Sequence, residues 1–197
     1  MAITTDMIKE LRERTGAGIL ESKKALEESG GNIEKAIDYL RERGLAKAAK
    51  KAGREVSQGV ITSYIHSNYQ YGSLVEINCE TDFVARTPQF QELARDVAMQ
   101  VVASNPRWVR REDVPEEEVQ REREVLAERA RQERKPETII PRIVEGGLNK
   151  FYAETVLYEQ PYIKEPSKAI GQLVQEAIAQ LGENIVIRRF TRYELGG

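Results

Sequence analysis

Along the first 45 positions, apolar residues recur three and four apart in three short bursts, each closed by a glycine. Met7, Ile8 and Leu11 share one face of a helix that Thr4 or Thr5 can cap and that ends at Thr15-Gly16. Ile19, Leu20, Ala25 and Leu26 mark a second helix after Gly18, which stops at Ser29-Gly30-Gly31. Asn32 caps a third, with Ile33, Ala36, Ile37 and Leu40, closed by Gly44. Helices this short are marginal alone, so they are expected to pack into a compact three-helix unit. From residue 58 the period drops towards two. The stretch rich in β-branched and aromatic residues predicts a hairpin of two strands, about 58–66 and 70–79. Helix returns over 88–104, with Thr87 as cap, Pro88 at the first position and Phe90, Leu93, Ala94, Val97, Ala98 and Val101 as its buried stripe.

Residues 115–150 read as a helical hairpin. Its first arm takes Val119, Leu126 and Ala130 as few and widely spaced apolar positions. Between Arg107 and Lys135, nine Lys/Arg face nine Asp/Glu, the balance expected of an arm laced with short-range ion pairs. The returning arm takes Ile139, Ile140, Ile143, Val144 and Leu148 as its seam, and Pro141 is expected to kink it near its start. A helix over about 167–181 opens at Pro166-Ser167, and a strand follows Gly182-Glu183-Asn184. In that strand Ile185, Ile187, Phe190 and Arg192 cannot share one face under strict alternation, which predicts either a bulge or burial on both sides. The fold class is therefore α+β: three helices over residues 1–55 with their linker, then a core over 56–197 of small antiparallel sheet, covering helices and an inserted helical hairpin.

Composition narrows the chemistry. A hydrophobic fraction of 40% with 31% charged residues describes a globular chain with a solvated surface. The net charge of −2 provides no bulk basic field for nucleic acid or anionic lipid. The basic connector at 45–56, with Lys47, Lys50, Lys51 and Arg54, reads first as a solvated helix and second as a contact for RNA or an acidic partner. One cysteine, Cys79, and one histidine, His66, rule out an internal disulfide and the usual Cys/His zinc site, and favour a reducing cytoplasmic compartment. The N-terminal residues do not read as a signal peptide, and no apolar run approaches the length of a membrane span.

Catalytic signatures are missing from the sequence. It contains no phosphate loop of the GxxxxGK[ST] type, no GxGxxG after a strand and no GxSxG elbow. His66 reads as a structural or surface residue, and Cys79 as a small buried hydrophobe whose acidic neighbours Glu80 and Asp82 should raise its pKa. The segment NCETDFVART, residues 78–87, joins a strand to the Pro88 helix and must be tight. By burial preference alone Phe83 folds back into the core while Asp82 caps a turn. The other possibility is an exposed aromatic beside an acid, shaped to enter a partner's pocket.

TDFVAR at 81–86 resembles the signature of the elongation factor Ts family. ELRERTGAG at 10–18, SKKALEE at 22–28, RGLAKAAKKAGR at 43–54, QPYIKEPSKAIGQL at 160–173 and GENIVIRRF at 182–190 resemble that family in the same order. The resemblance implies an N-terminal domain of the ubiquitin-associated type, a linker, and a core with an inserted hairpin. It also implies guanine-nucleotide exchange on the GTPase elongation factor Tu, without a cofactor and without bond-making chemistry on this chain. Arg12, Ile19 and Leu20 would then grip the GTPase domain, Asp82 and Phe83 would insert between its helices and disturb the Mg²⁺ and phosphate site, and His66, Ile163, Leu181 and Gly182 would touch it from the core. Ile19-Leu20 depart from a common Met-Met pair, and Lys164 replaces an apolar or acidic residue of some members. Longer members carry the core subdomain twice, so the single copy here implies a homodimer. The competing expectation is an adaptor that uses the three-helix unit to bind another protein.

Overall fold

The computed structural model describes residues 3–197. The described residues divide into two units, one of residues 3–59, 78–91 and 174–186, the other of residues 60–77, 92–173 and 187–197.

In the first unit, α1 (Thr5–Thr15), α2 (Ile19–Glu28) and α3 (Ile33–Lys51) pack around Leu11, Ala25, Leu26 and Ala36, all fully buried. The caps are those expected from sequence: Thr4 Oγ1 accepts from Met7 N–H and Asn32 Oδ1 from Lys35 N–H, while Gly16 ends α1 in the left-handed region. Gly44 does not close α3, which runs on to Lys51 and takes in most of the basic connector. That glycine answers to space instead: a Cβ there would lie 3.3 Å from the Cβ of Ala179, so the missing methyl lets helix approach helix.

In the second unit a three-stranded antiparallel sheet has the order β1-β2-β5, from β1 (Gln58–Ile65), β2 (Tyr71–Cys79) and β5 (Ile185–Glu194). Ser73, Val75 and Ile77 alternate into the core, and Ser73 Oγ donates to the Ala98 carbonyl of α5 (Pro88–Ser104) at 2.7 Å. On β5 the inward parity changes. Ile187 is buried, Arg189 lies outside against Glu76, and Arg192 is again inside, donating to Val102 O. An even step cannot produce that change, so the strand breaks alternation between 187 and 192, as the bulge reading expects.

The helical hairpin is α6 (Glu116–Gln132) and α7 (Ile140–Thr155), sealed by Val119, Ala130, Ile140, Val144 and Leu148. Arg129–Glu133, Arg131–Glu128 and Arg131–Glu137 pair around its turn. Two details differ from expectation. Ile139 is 42% exposed because it precedes the helix as its N-cap, and Pro141 does not interrupt the helix because it is the second residue, where no intrahelical donor is needed.

The segment at 160–169 also differs. β3 (Pro161–Tyr162) and β4 (Glu165–Ala169) form a small antiparallel pair, and α8 (Ile170–Leu181) begins three residues later than the Pro-Ser signal suggests. Both strands of a two-stranded sheet are edges, so Pro166 is tolerated there.

Candidate functional site

The residues singled out by sequence fall into separate groups. Asp82, Phe83, Leu181 and Gly182 lie in the first unit at the ends of β2 and α8, and Arg12, Ile19 and Leu20 lie in its three-helix part. His66 and Ile163 belong to the second unit.

Thr81 leaves β2 with extended backbone and caps α4 (Asp82–Ala85), its Oγ1 accepting from Val84 N–H. Successive residues of a helical turn point about 100° apart, so Ala85 and Phe83 face nearly opposite ways. Ala85 is 4% exposed and Phe83 80% exposed. Phe83 therefore does not fold back into the core, contrary to burial preference for an aromatic beside a strand. The apolar position that fills the core here is Phe90, on the next helix and fully buried. Asp82 pairs with Arg86 at 2.9 Å, an exposed contact at helical spacing.

A one-turn helix has no stability of its own, so α4 must be held from outside. The holder is the turn after α8. Gly182 takes φ +83°, a left-handed conformation that suits glycine, and reverses the chain so that Glu183 reaches the start of α4. One carboxylate oxygen of Glu183 accepts from the backbone N–H of Glu80 at 3.1 Å and of Thr81 at 3.0 Å. Its other oxygen accepts from the Thr81 hydroxyl at 2.6 Å. Glu80 answers in the opposite direction, accepting from Asn184 N–H at 2.6 Å and pairing with Arg54 at 3.5 Å. Asn184, 5% exposed, donates its side-chain N–H to the Arg54 carbonyl at 2.9 Å, and Lys51 donates to the carbonyl of Gly182. The connector's cations are thus largely engaged, since Lys47 also pairs with Glu21. That leaves less basic surface for RNA than the sequence alone suggests. Glu183, Glu80 and Asn184 were not among the sequence-predicted site residues, although GENIVIRRF contains two of them.

Cys79 is fully buried and donates to Thr81 O at 3.1 Å. Burial first, and the Glu183 carboxylate second, push its thiol up from 9.0 to about 11. That rise means about a hundredfold less thiolate at neutral pH. Cys79 in the folded protein is therefore expected to react with a thiol reagent such as DTNB at pH 8 at least about 100-fold more slowly than in denaturant, checked by following absorbance in the two conditions.

In the three-helix part, Leu20 is 82% and Ile19 58% exposed at the first turn of α2, and Arg12 of α1 is exposed as well. An adjacent apolar pair left in water suits a docking patch rather than a core. In the second unit, His66 directly follows β1 and is exposed, its Nδ1 3.2 Å from the Tyr64 hydroxyl. Ile163 sits in the β3–β4 turn, its N–H donated to Gln100 Oε1 at 2.9 Å. Next to it, the Asp96 carboxylate accepts from the Tyr162 hydroxyl and pairs with Lys164 at 2.6 Å. Burial and that hydrogen bond raise the Tyr162 pKa well above a phenol's ordinary value.

Comparison with known proteins places the whole chain. The family model described as elongation factor TS matches residues 5–197. The chain is 58% identical over 194 residues to elongation factor Ts of Syntrophomonas wolfei, covering 98% of this chain and 91% of that protein. The chain belongs to the elongation factor Ts family. It is equally 58% identical over 196 residues to elongation factor Ts of Nitratidesulfovibrio vulgaris, covering 100% of this chain and 98% of the relative. The Thermosipho melanesiensis protein of the same name is 54% identical, covering 98% and 99% respectively.

Proposed function

We propose that this chain uses Phe83, flanked by Asp82, as a wedge that opens the nucleotide site of elongation factor Tu. The activity is guanine-nucleotide exchange on that GTPase during polypeptide elongation, the activity of the family. The observation that carries the wedge is the 80% exposure of Phe83 on a turn that is itself fastened at three points by Glu183. A large apolar side chain kept rigid in water loses little conformational entropy on entering a pocket and gains the full desolvation of its ring.

The wedge acts by linkage. A factor that binds the nucleotide-free GTPase better than the loaded form must be weakened by nucleotide in the same ratio. Mg²⁺ demands near-octahedral oxygen ligands, so a small displacement of the partner's loops releases much of the grip on phosphate. Arg12, Ile19 and Leu20 supply a second contact to the GTPase domain, and His66, Ile163, Leu181 and Gly182 supply contacts from the core. The chain itself makes and breaks no bond, needs no cofactor, and works in the cytoplasm without direct binding to nucleic acid or membrane. Stopped-flow release of a fluorescent GDP analogue from elongation factor Tu tests the function. The rate should rise with the concentration of this protein and reach a plateau. A rate independent of its concentration would leave the adaptor reading in place of exchange.

The chain also pairs with a second copy through the open face of its sheet. Ile61, Ile65, Leu74 and Tyr193 are 46% exposed or more, and the groove beside them is lined by Ser63, Gly72 and Leu195. A Cβ on Gly72 would meet Ile65 Cδ1 at 2.7 Å, which places Ile65 and the alternate position Leu74 on the same face. Several large apolar side chains on one sheet face are unusual for a monomer. Sedimentation equilibrium at micromolar concentration should give twice the mass of 22.4 kDa, and Leu74→Glu should halve it. A monomer mass for the unaltered chain would refute the pairing.

A further inference from the structure

We propose that Glu183 is the positioning residue of the exchange wedge: its carboxylate sets the capped turn that presents Phe83, across about 100 residues of sequence. The inference rests on Phe83 being the wedge and adds what holds it. Three donors converge on this one carboxylate, the N–H groups of Glu80 and Thr81 and the Thr81 hydroxyl. All three belong to the residues just before Asp82-Phe83.

The hydroxyl contact is the informative one. A threonine hydroxyl has one proton and two acceptor sites. Donating its proton to Glu183 at 2.6 Å leaves the Thr81 oxygen free to accept from Val84 N–H, the capping bond of the turn that carries Phe83. Without the carboxylate, the hydroxyl can rotate and bond elsewhere, and the two backbone amides lose their acceptor. The Glu80 carboxylate, bonded to Asn184 N–H and to Arg54, keeps the turn of residues 182–184 against the same strand end. Gly182 supplies the reversal and Glu183 the clasp. The short GEN run is therefore a machine part for Phe83 rather than only a helix stop.

A residue that supports the fold in general and a residue that acts through Phe83 predict different double-mutant behaviour. GDP-analogue release from elongation factor Tu is measured with the unaltered chain, Glu183→Ala, Phe83→Ala and the double variant, over a range of concentration, alongside thermal unfolding of each. Glu183→Ala is expected to lower the plateau release rate about tenfold while moving the half-saturating concentration less. In the Phe83→Ala background the same change should alter release less than about twofold, while its effect on the unfolding temperature should be the same in both backgrounds. Glu183→Gln keeps an oxygen for the two amides but sets an NH2 group where the Thr81 hydroxyl donates, so it should recover only part of the rate. If Glu183→Ala fails to fold, a loss in Glu183→Gln that disappears in the Phe83→Ala background is the test, and full activity of Glu183→Gln would overturn the positioning role. Equal rate losses in the two backgrounds, or full activity of Glu183→Ala, would overturn the positioning role while leaving the wedge. Full activity of Phe83→Ala would overturn the wedge and the positioning role with it.

Discussion

Phe83→Ala is expected to leave the fold almost untouched and to slow nucleotide exchange by on the order of 100-fold. With 80% of Phe83 in water, truncation removes little buried area and opens no cavity, so stability should change by no more than about 0.5 kcal/mol. Its value is realised only in the complex. An aromatic anchor at the centre of an interface typically contributes about 2–4 kcal/mol, and each 1.4 kcal/mol is roughly a factor of ten. Circular dichroism, thermal unfolding and plateau GDP release measured on one preparation separate the two quantities. Asp82→Ala should have a smaller effect, because in the free chain it ends only an exposed pair with Arg86. A Phe83→Ala protein that lost stability and activity in parallel would mean that the ring supports its own chain.

Gln100→Leu is expected to have the largest effect on stability, a loss of about 3 kcal/mol. Gln100 is fully buried, and its two amide protons are shared among Ser104 Oγ at 2.9 Å, the Pro161 carbonyl at 3.1 Å and Gln160 Oε1 at 3.3 Å. Its own oxygen takes the N–H of Ile163. Gln160, 2% exposed, continues the network to the carbonyls of Ser104 and Glu154. Leucine fits the volume but satisfies none of these groups, and each buried group without a partner costs about 1–3 kcal/mol. For a chain of this length about 3 kcal/mol corresponds to a fall in unfolding temperature of roughly 6–12 °C. Trp108 is the sole tryptophan and lies in the same unit, so its fluorescence reports the transition directly. A fall below about 2 °C would mean that the network is not a source of stability.

These two residues also show what sequence pattern can and cannot reveal. The helix caps at Thr4, Asn32 and Thr87, the β1–β2 hairpin and the two-armed helical insertion follow from local signals, because caps and periodicity act within a few residues. Gly44 and Pro141 were misleading for the opposite reason. A glycine can serve a close helix approach, 3.3 Å to Ala179, as well as a helix end, and a proline is harmless or disruptive depending on a boundary that shifts by two residues. The β3–β4 pair was hidden because Pro166-Ser167 looks like a helix start, while the bonds that make it a strand come from its partner across the turn. For Phe83, burial preference points an aromatic inward, and its exposure agrees instead with the alternative of an aromatic left in water beside an acid. Glu183 could not be read as its clasp at all, because the three bonds it makes span 102 and 103 residues.

Photocross-linking from position 83 tests the central claim most directly. A benzoylphenylalanine in place of Phe83 is irradiated with elongation factor Tu stripped of nucleotide, and the adduct is mapped by mass spectrometry. The account predicts one dominant cross-link in the GTPase domain near its phosphate-binding loops, abolished by excess GDP with Mg²⁺. A cross-link that GDP leaves unchanged, or none in a complex that still forms, would contradict it.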